Sequence, residues 1–218
     1  MNKLRQLREK FLSMDKKTRK GIIIFFSLFL ALFVLDVISK WMCQLFLNVG
    51  DQVAIIPNFL YVTLYHNTKI AFSLGIDGVA GRAINIVISI VMSVLIAFYW
   101  IKNVKKMNYL EMATACLLLS GAFGNLIDRA FYWSNITGFD GVIDFIQFYL
   151  GGGPGAPNSF VNPFAVFNLA DSYLTIGVIM MVVILIIDSV KSSKNDPYNK
   201  NPLESETKDE GKEDVNSK

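Results

Sequence analysis

The tetrapeptide pattern Asn-Leu-x-Asp occurs twice in the sequence, at residues 125–128 and at residues 168–171. Both copies lie in apolar stretches long enough to enter a membrane, where a charged side chain costs about 2.5–3.5 kcal/mol at a helix centre. On a helix, the Asn and the Asp of one copy share a face, so the amide can donate to the carboxylate or bind the backbone of a substrate peptide. One such motif is explained by a polar contact between helices, but two indicate paired carboxylates that perform chemistry.

Two facing aspartates favour peptide hydrolysis by an activated water molecule. Two like charges at short range cannot both ionise, so the pair shares one proton. The ionised carboxylate takes a proton from water, while the protonated one polarises the scissile carbonyl and later donates to the leaving amine. The sequence does not determine whether Asp128 or Asp171 carries the shared proton, because the pair titrates as a unit.

The remaining candidates for catalysis are few. The chain has one histidine, His66, and two cysteines, Cys43 and Cys116, which fall in different apolar segments. These residues do not make a zinc site or a histidine-based triad. We therefore predict no metal and no other cofactor, and we interpret both cysteines as packing residues.

Composition indicates an integral membrane protein. Of the 218 residues, 53% are hydrophobic and 18% are charged, whereas soluble domains carry about 25% charged residues. A hydrocarbon core of about 30 Å needs about 20 helical residues, and four stretches qualify: residues 21–41, 83–101, 110–129 and 164–187. The first is predicted to be a retained helix rather than a cleaved signal peptide, because Asp36 and Lys40 follow it without a small-residue cleavage site.

Basic residues set the predicted orientation. Residues 1–20 contain eight Lys/Arg and two acids, and further lysines follow the second and fourth apolar stretches. Such a segment next to an apolar run predicts a cytoplasmic membrane flank rather than a nucleic-acid partner. We therefore place both termini in the cytoplasm and the connections 42–82 and 130–163 on the other side. Domain boundaries follow as a basic tail (1–20), a membrane domain (21–190) and a disordered tail (191–218).

The predicted topology brings three acids to one level near the outer face. At 1.5 Å per residue, Asp36 and Asp128 lie about 22 and about 27 Å along outward-running helices, and Asp171 about 10 Å below the outer end of an inward-running one. Asp36 also shares a helix face with Lys40. The two form either a self-contained ion pair, or a brace for the site in which Lys40 marks the level of the lipid headgroups.

Other features leave alternatives open. Arg129 either reaches the outer phosphates or holds a carboxylate or a substrate carbonyl, whereas Gly121 and Gly124 favour close helix packing. Residues 53–74 favour short strands. Residues 151–158, rich in Gly and Pro, predict a loop that is either a lid or a passive insertion.

Two further classes of protein compete with a protease. Intramembrane acids also serve proton- or ion-coupled transporters. Transporter sites, however, lie near the midplane of the bilayer between inverted repeats, and this sequence shows no such repeats. A structural anchor would leave the acids near the outer face unexplained.

Five segments together resemble the bacterial lipoprotein signal peptidases (signal peptidase II), which are intramembrane aspartyl proteases. In family order they are residues 36–40 (DVISK), 67–73 (NTKIAFS), 121–129 (GAFGNLIDR), 142–145 (VIDF) and 167–171 (FNLAD).

The resemblance implies an all-α integral membrane protein of the bacterial inner membrane, with four transmembrane helices and a small extracytoplasmic β-sheet region. It implies cleavage of the signal peptide before the diacylglyceryl-modified Cys of a prolipoprotein, with sensitivity to the cyclic peptide globomycin. It implies that Asp128 and Asp171 are the catalytic pair. Site-lining or supporting roles carry over to Asp36, Lys40, Asn67, Asn125, Arg129, Asn168 and Ala170. We expect a monomer among membrane lipids.

The resemblance leaves the roles of two positions undecided. Lys69 stands where the family usually has Gly, so the shape of the β-region near it is expected to differ. Asp144, in the VIDF segment, either orients the site through hydrogen bonds or caps local structure.

Overall fold

The structure of the chain is a computed structural model that describes residues 2–68, 78–131, 141–157 and 163–195. Lys69, the end of the strand prediction at residues 69–74, residue 158 of the loop and the tail from residue 196 lie outside the described residues. The elements, in chain order, are α1 (Asn2–Leu12), α2 (Lys16–Phe46), β1 (Gln52–Ile56), β2 (Leu60–Asn67), α3 (Gly78–Asn103), α4 (Tyr109–Phe131), β3 (Val142–Phe148) and α5 (Leu169–Asn195).

Among the described residues, four helices are long and apolar enough to cross a membrane, as the sequence predicts: Lys16–Phe46, Ile86–Asn103, Tyr109–Phe131 and Leu169–Lys194. Polar side chains mark where these helices begin. Asp15 caps α2 by accepting the backbone N–H of Thr18 over 2.9 Å. Asn108 and Glu111 exchange side-chain-to-backbone hydrogen bonds at the start of α4, which is the reciprocal arrangement of a capping box.

The fourth membrane helix begins at Leu169, five residues later than the predicted span. The preceding residues are extended and pair with β3: Phe164 donates its N–H to Phe148, and Phe167 exchanges backbone hydrogen bonds with Ile146. Those apolar residues satisfy their backbone groups through a sheet instead of a helix. Asp171 therefore lies in the first turn of α5 rather than two turns into it.

Helical structure also extends into both predicted tails. Helix α1 occupies most of residues 1–20, and α5 continues to Asn195, past the predicted start of the disordered tail at residue 191. Extending an existing helix fixes few additional dihedrals for each hydrogen bond gained, and the first proline after α5 is Pro197. The chain divides into two compact units, residues 1–178 and 179–218; the described part of the second is the apolar remainder of α5.

A three-stranded antiparallel sheet has the order β1-β2-β3. Strands β1 and β2 confirm the strands predicted between residues 53 and 67. The sequence analysis missed β3, although its segment VIDFIQF carries the β-branched and aromatic residues that favour strands. Strand β3 pairs Tyr65 with Asp144 and Asn67 with Val142, and it thereby carries Asp144 to the site described below.

Two apolar clusters hold these elements together. Phe25 of α2 stacks on Trp100 of α3 at a ring separation of 4.0 Å, and Cys116 of α4 is fully buried beside them. The second cluster joins Cys43 of α2 to Leu64, Ile143 and Phe145 of the sheet. Both cysteines are free and buried, which confirms their interpretation as packing residues.

Candidate active site

Small residues on α4 allow the start of α5 and the middle of α2 to approach it closely. A Cβ at Gly121 would lie 2.5 Å from the carbonyl oxygen of Ala170, and one at Gly124 would overlap the carboxylate of Asp36. These contacts confirm the prediction that both glycines serve close packing. The three helices therefore meet where the sequence carries its acids.

Lys40 lies between two carboxylates in the protein interior. Its Nζ is 2.8 Å from Oδ2 of Asp36 and 2.9 Å from Oδ2 of Asp128. Lys40 is 1% exposed and Asp36 is fully buried, and the level of Lys40 relative to the lipid headgroups stays a prediction. The ammonium is needed inside, because two buried carboxylates without a cation would be strongly destabilising.

The second oxygen of Asp36 reaches the next helix. Oδ1 accepts the backbone N–H of Ala170 over 2.9 Å, and this N–H belongs to the first turn of α5, where helices have unpaired donors. Asp36 is thus tied both to Lys40 and to the start of α5. This geometry matches the brace that was predicted for it, and Ala170 takes part through its backbone.

The two Asn-Leu-x-Asp copies have different local structures. Asn168 caps α5: its Oδ1 accepts the N–H of Asp171 over 2.9 Å, and its own N–H donates to Oδ2 of Asp171 over 3.1 Å. Asn125 lies inside α4 and donates its amide to Oδ1 of Asp171 over 2.8 Å. In neither copy does the structure give a hydrogen bond from the side-chain Nδ2 of the Asn to the carboxylate of the same copy. The side-chain amide of Asn125 donates instead to Asp171, the acid of the second copy.

Asn168 connects Asp171 to a further acid. Its Nδ2 donates to Oδ1 of Asp144 over 2.7 Å, and the side-chain Oδ1 of Asn125 and the backbone carbonyl oxygen of Ile143 lie at 3.1 and 3.2 Å. One residue therefore contacts two carboxylates, through its backbone N–H on Asp171 and through its side chain on Asp144. The hydrogen bonds of Asp144 therefore join it to the cluster around Asp171, while its role there stays a prediction.

Asp144 is an unusual carboxylate. It is 1% exposed, and its Oδ2 accepts the amide of Asn67 over 2.9 Å. Burial, reinforced by the nearby charge of Asp171, raises the pKa of Asp144 to about 7, although the hydrogen bonds from Asn67 and Asn168 oppose the shift. A pKa near the working pH is the value that suits a general acid or base best.

Asp128 has a different environment. Its Oδ2 is shared by the Lys40 ammonium at 2.9 Å and the backbone N–H of Ile143 at 3.4 Å. Asp128 is thus balanced by a charge, whereas Asp171 and Asp144 are held by neutral amide donors.

Arg129 is half-buried, and its Nη1 donates to Oγ of Ser89 on α3 over 3.0 Å. The contacts predicted for Arg129, with outer phosphates, a carboxylate or a substrate carbonyl, stay predictions. Ser89 was not singled out from the sequence, since one serine in an apolar helix carries no local signal of a distant partner. Within residues 2–68, 78–131, 141–157 and 163–195, no cluster of three or more His, Cys, Asp or Glu side chains has the arrangement to hold a metal ion.

Four apolar helices and a buried cluster of carboxylates and amides define a membrane protein with the groups of an acid–base hydrolase. A family model described as Signal peptidase (SPase) II matches residues 28–187. The chain belongs to this family of aspartic-type signal peptidases, which confirms the resemblance drawn from the five segments and leaves the transporter alternative without support.

Individual relatives agree with the family model. The lipoprotein signal peptidase of Staphylococcus carnosus is 33% identical over 177 residues, which is 80% of this chain and 98% of the relative. That of Staphylococcus aureus is 32% identical over 184 residues, covering 84% and 98%. A solved bacterial membrane enzyme, determined by the in meso method at 2.3 Å resolution, is 27% identical with a TM-score of 0.61, and the match covers 77% of this chain and 90% of that one.

Proposed function

We propose that the chain removes signal peptides from diacylglyceryl-modified prolipoproteins, cleaving before the lipidated Cys, and that Asp171 and Asp144 activate the attacking water. The substrate class follows from the relatives, which are lipoprotein signal peptidases. One observation carries the choice of residues: Asn168 donates to Asp171 and to Asp144, so both carboxylates lie within reach of a single side chain and its backbone.

The pair predicted from the sequence, Asp128 with Asp171, is the competing assignment. The ion pair between Asp128 and Lys40 weighs against it, because sharing a proton requires that the charge of one carboxylate raise the proton affinity of the other. Asp144 meets this requirement, since the charge of Asp171 contributes to its raised pKa. In this proposal Asp128 supports the site by anchoring Lys40.

The reaction needs one proton on the pair. Both oxygens of Asp171 accept N–H donors, the arrangement of an ionised carboxylate. Asp171 takes a proton from water, and the water oxygen forms a bond to the scissile carbonyl carbon. Protonated Asp144 donates a hydrogen bond to the carbonyl oxygen and then passes its proton to the leaving amine as the C–N bond breaks. The proton that Asp171 took from water then moves to Asp144, which restores the starting state of the pair.

The membrane setting is part of the proposal. Basic residues at the N-terminus, in the 102–109 connection and after α5 favour a cytoplasmic location for all three. The start of α5 would then lie near the extracytoplasmic face, where a translocated signal peptide arrives. We also propose that the protein acts as a monomer in the inner membrane, in contact with lipids, and that globomycin-type cyclic peptides inhibit it.

The test compares three variants in detergent: Asp171→Asn, Asp144→Asn and Asp128→Asn. Each is given a lipidated prolipoprotein and an unlipidated control, and its thermal unfolding is measured in parallel. We expect Asp171→Asn and Asp144→Asn to remain folded and to lose about 10²- to 10⁴-fold in rate, the usual contribution of a positioned acid or base. We expect Asp128→Asn to lower the unfolding temperature and to keep measurable cleavage.

Three outcomes would change the assignment. Full activity of Asp144→Asn with a folded but inactive Asp128→Asn would restore the pair predicted from the sequence. Cleavage that survives Asp171→Asn would remove the aspartyl mechanism. Equal cleavage of lipidated and unlipidated substrates would remove the proposed specificity for lipidated precursors.

A further inference from the structure

Helix α1 lies outside the enzyme that the family defines. It spans Asn2–Leu12, whereas the family model matches residues 28–187. None of its residues is buried. The proposed catalytic function therefore makes no use of α1, and its own surface must indicate what it binds.

The surface of α1 is amphipathic. Leu4, Leu7 and Phe11 are spaced by three and four residues, which places them on one helical face. Leu4 is 78% exposed and Leu7 is 63% exposed, whereas Phe11 is half-buried, so most of this apolar face is open to a partner. At about 100° per residue, Arg8 borders the face on one side and Lys10 on the other.

The connection to α2 keeps this helix beside the bilayer. Only residues 13–15 separate α1 from α2, which begins at Lys16 and crosses the membrane. Three extended residues span at most about 11 Å. Four further basic residues occupy the first turns of α2, just before its apolar run: Lys16, Lys17, Arg19 and Lys20.

We propose that α1 is an interfacial anchor that binds anionic phospholipid. Its leucines and Phe11 enter the boundary between headgroups and acyl chains, and its basic side chains contact the headgroup phosphates. An apolar face flanked by Lys and Arg is the pattern of helices that lie in a membrane interface, and each basic residue near an anionic surface adds to the attraction. Residues 1–20 supply eight such residues against two acids, and the membrane span beginning at Lys16 makes the bilayer the adjacent surface.

The experiment uses the full chain with Leu7→Cys, labelled with a fluorophore that is sensitive to polarity. Cys43 and Cys116 are 9% and 0% exposed, and the wild-type chain treated in the same way gives the background labelling. The protein is placed in nanodiscs of phosphatidylcholine alone, or of phosphatidylcholine and phosphatidylglycerol in equal parts. Quenching by acrylamide, which is neutral and confined to water, reports exposure of the label.

We expect the quenching constant to fall at least about twofold in the anionic nanodiscs and to recover at high salt, because salt screens the attraction. Replacing Arg5, Arg8 and Lys10 with Gln should abolish the difference between the two lipids. The matched control replaces Lys102, Lys105 and Lys106 with Gln, which removes the same charge from another connection and should leave the difference intact.

Equal quenching in the two lipid compositions would overturn the proposal. Peptidase activity is measured on the same samples. Loss of peptidase activity with unchanged quenching would contradict the proposed function and leave the proposed membrane anchor intact.

Discussion

Asn125 of α4 donates its side-chain amide to Oδ1 of Asp171 over 2.8 Å, although the acid in its own sequence motif is Asp128. Asn125 also accepts from Lys40 at 3.3 Å and from Asn168 at 3.1 Å. One buried amide therefore joins the Lys40 ion pairs to the carboxylate that begins α5, and it determines the orientation of Asp171 from outside the helix that carries it.

Replacing Asn125 with Ala should lower kcat about 10-fold or more and leave KM nearly unchanged. The amide positions Asp171 by a hydrogen bond to a charged group, which contributes about 1.5–3 kcal/mol. Steady-state kinetics on a lipidated substrate measures the effect. Asn103→Ala is the matched control, since the Asn103 amide donates to the backbone of Tyr99 at an exposed helix end. An equal loss in both variants would refute a positioning role.

Two capping boxes among the described residues make it possible to measure the effect of losing a helix cap separately from the effect on catalysis. Asn108 caps α4 through Glu111, and Asn168 caps α5 through Asp171, in the same reciprocal arrangement. Each Asn→Ala change should cost about 0.5–2 kcal/mol of stability. Only Asn168→Ala should also lose activity, because its side chain contacts Asp144. Thermal unfolding and activity are measured on both variants. An inactive Asn108→Ala variant would show that losing either helix cap is enough to abolish activity, and would contradict a specific role of Asn168 in catalysis.

Lys40→Met should be strongly destabilising, by about 3–5 kcal/mol, because it leaves Asp36 and Asp128 buried without their cation. Adding Asp128→Asn to Lys40→Met should recover part of the loss by removing one uncompensated charge. Unfolding in detergent is the measurement. Arg5→Met, which breaks the exposed pair with Glu9, is the control and should cost less than about 1 kcal/mol. Additive losses in the double variant would contradict the ion-pair interpretation.

The stability of the protein should depend on pH through Asp144. Its pKa is about 7 in the folded protein and about 3.9 in an unfolded chain. Between these two pH values the folded state binds more protons than the unfolded state, so the free energy of unfolding falls as the pH rises. The stabilisation that protonated Asp144 contributes at low pH is lost above about pH 7. Asp144→Asn should flatten that slope in unfolding measurements made across the same window.

The pH dependence of the catalytic rate should also report the titration of Asp144. Because protonated Asp144 donates to the leaving amine in the proposed reaction, kcat/KM should decline with an apparent pKa near 7 as the pH rises. The apparent value belongs to the coupled pair with Asp171. A pH–rate profile on a lipidated substrate measures it, and a rate that rises through pH 7 would exclude Asp144 as the acid.

Much of the fold was predictable because its signals are local. Hydropathy over about 20 residues identifies a span regardless of what it packs against, and all four spans were identified. The start of α5 was misplaced because the apolar residues 164–167 suit a helix or a strand equally, and only β3 decided between them. Strand β3 itself was missed although its residues favour a strand.

The sequence by itself determined that acids, amides and one lysine occupy membrane helices near a common level, since spacing along a helix follows from its geometry. Only the tertiary structure decided how these groups pair. Asn125 binds Asp171 across 46 positions, Asp128 pairs with Lys40, and β3 brings Asp144 to Asn168. The physical reason is that hydrogen bonds and ion pairs form only at about 3 Å. Contact at that range depends on how the helices cross one another, and the periodic pattern of a single helix does not give the crossing geometry.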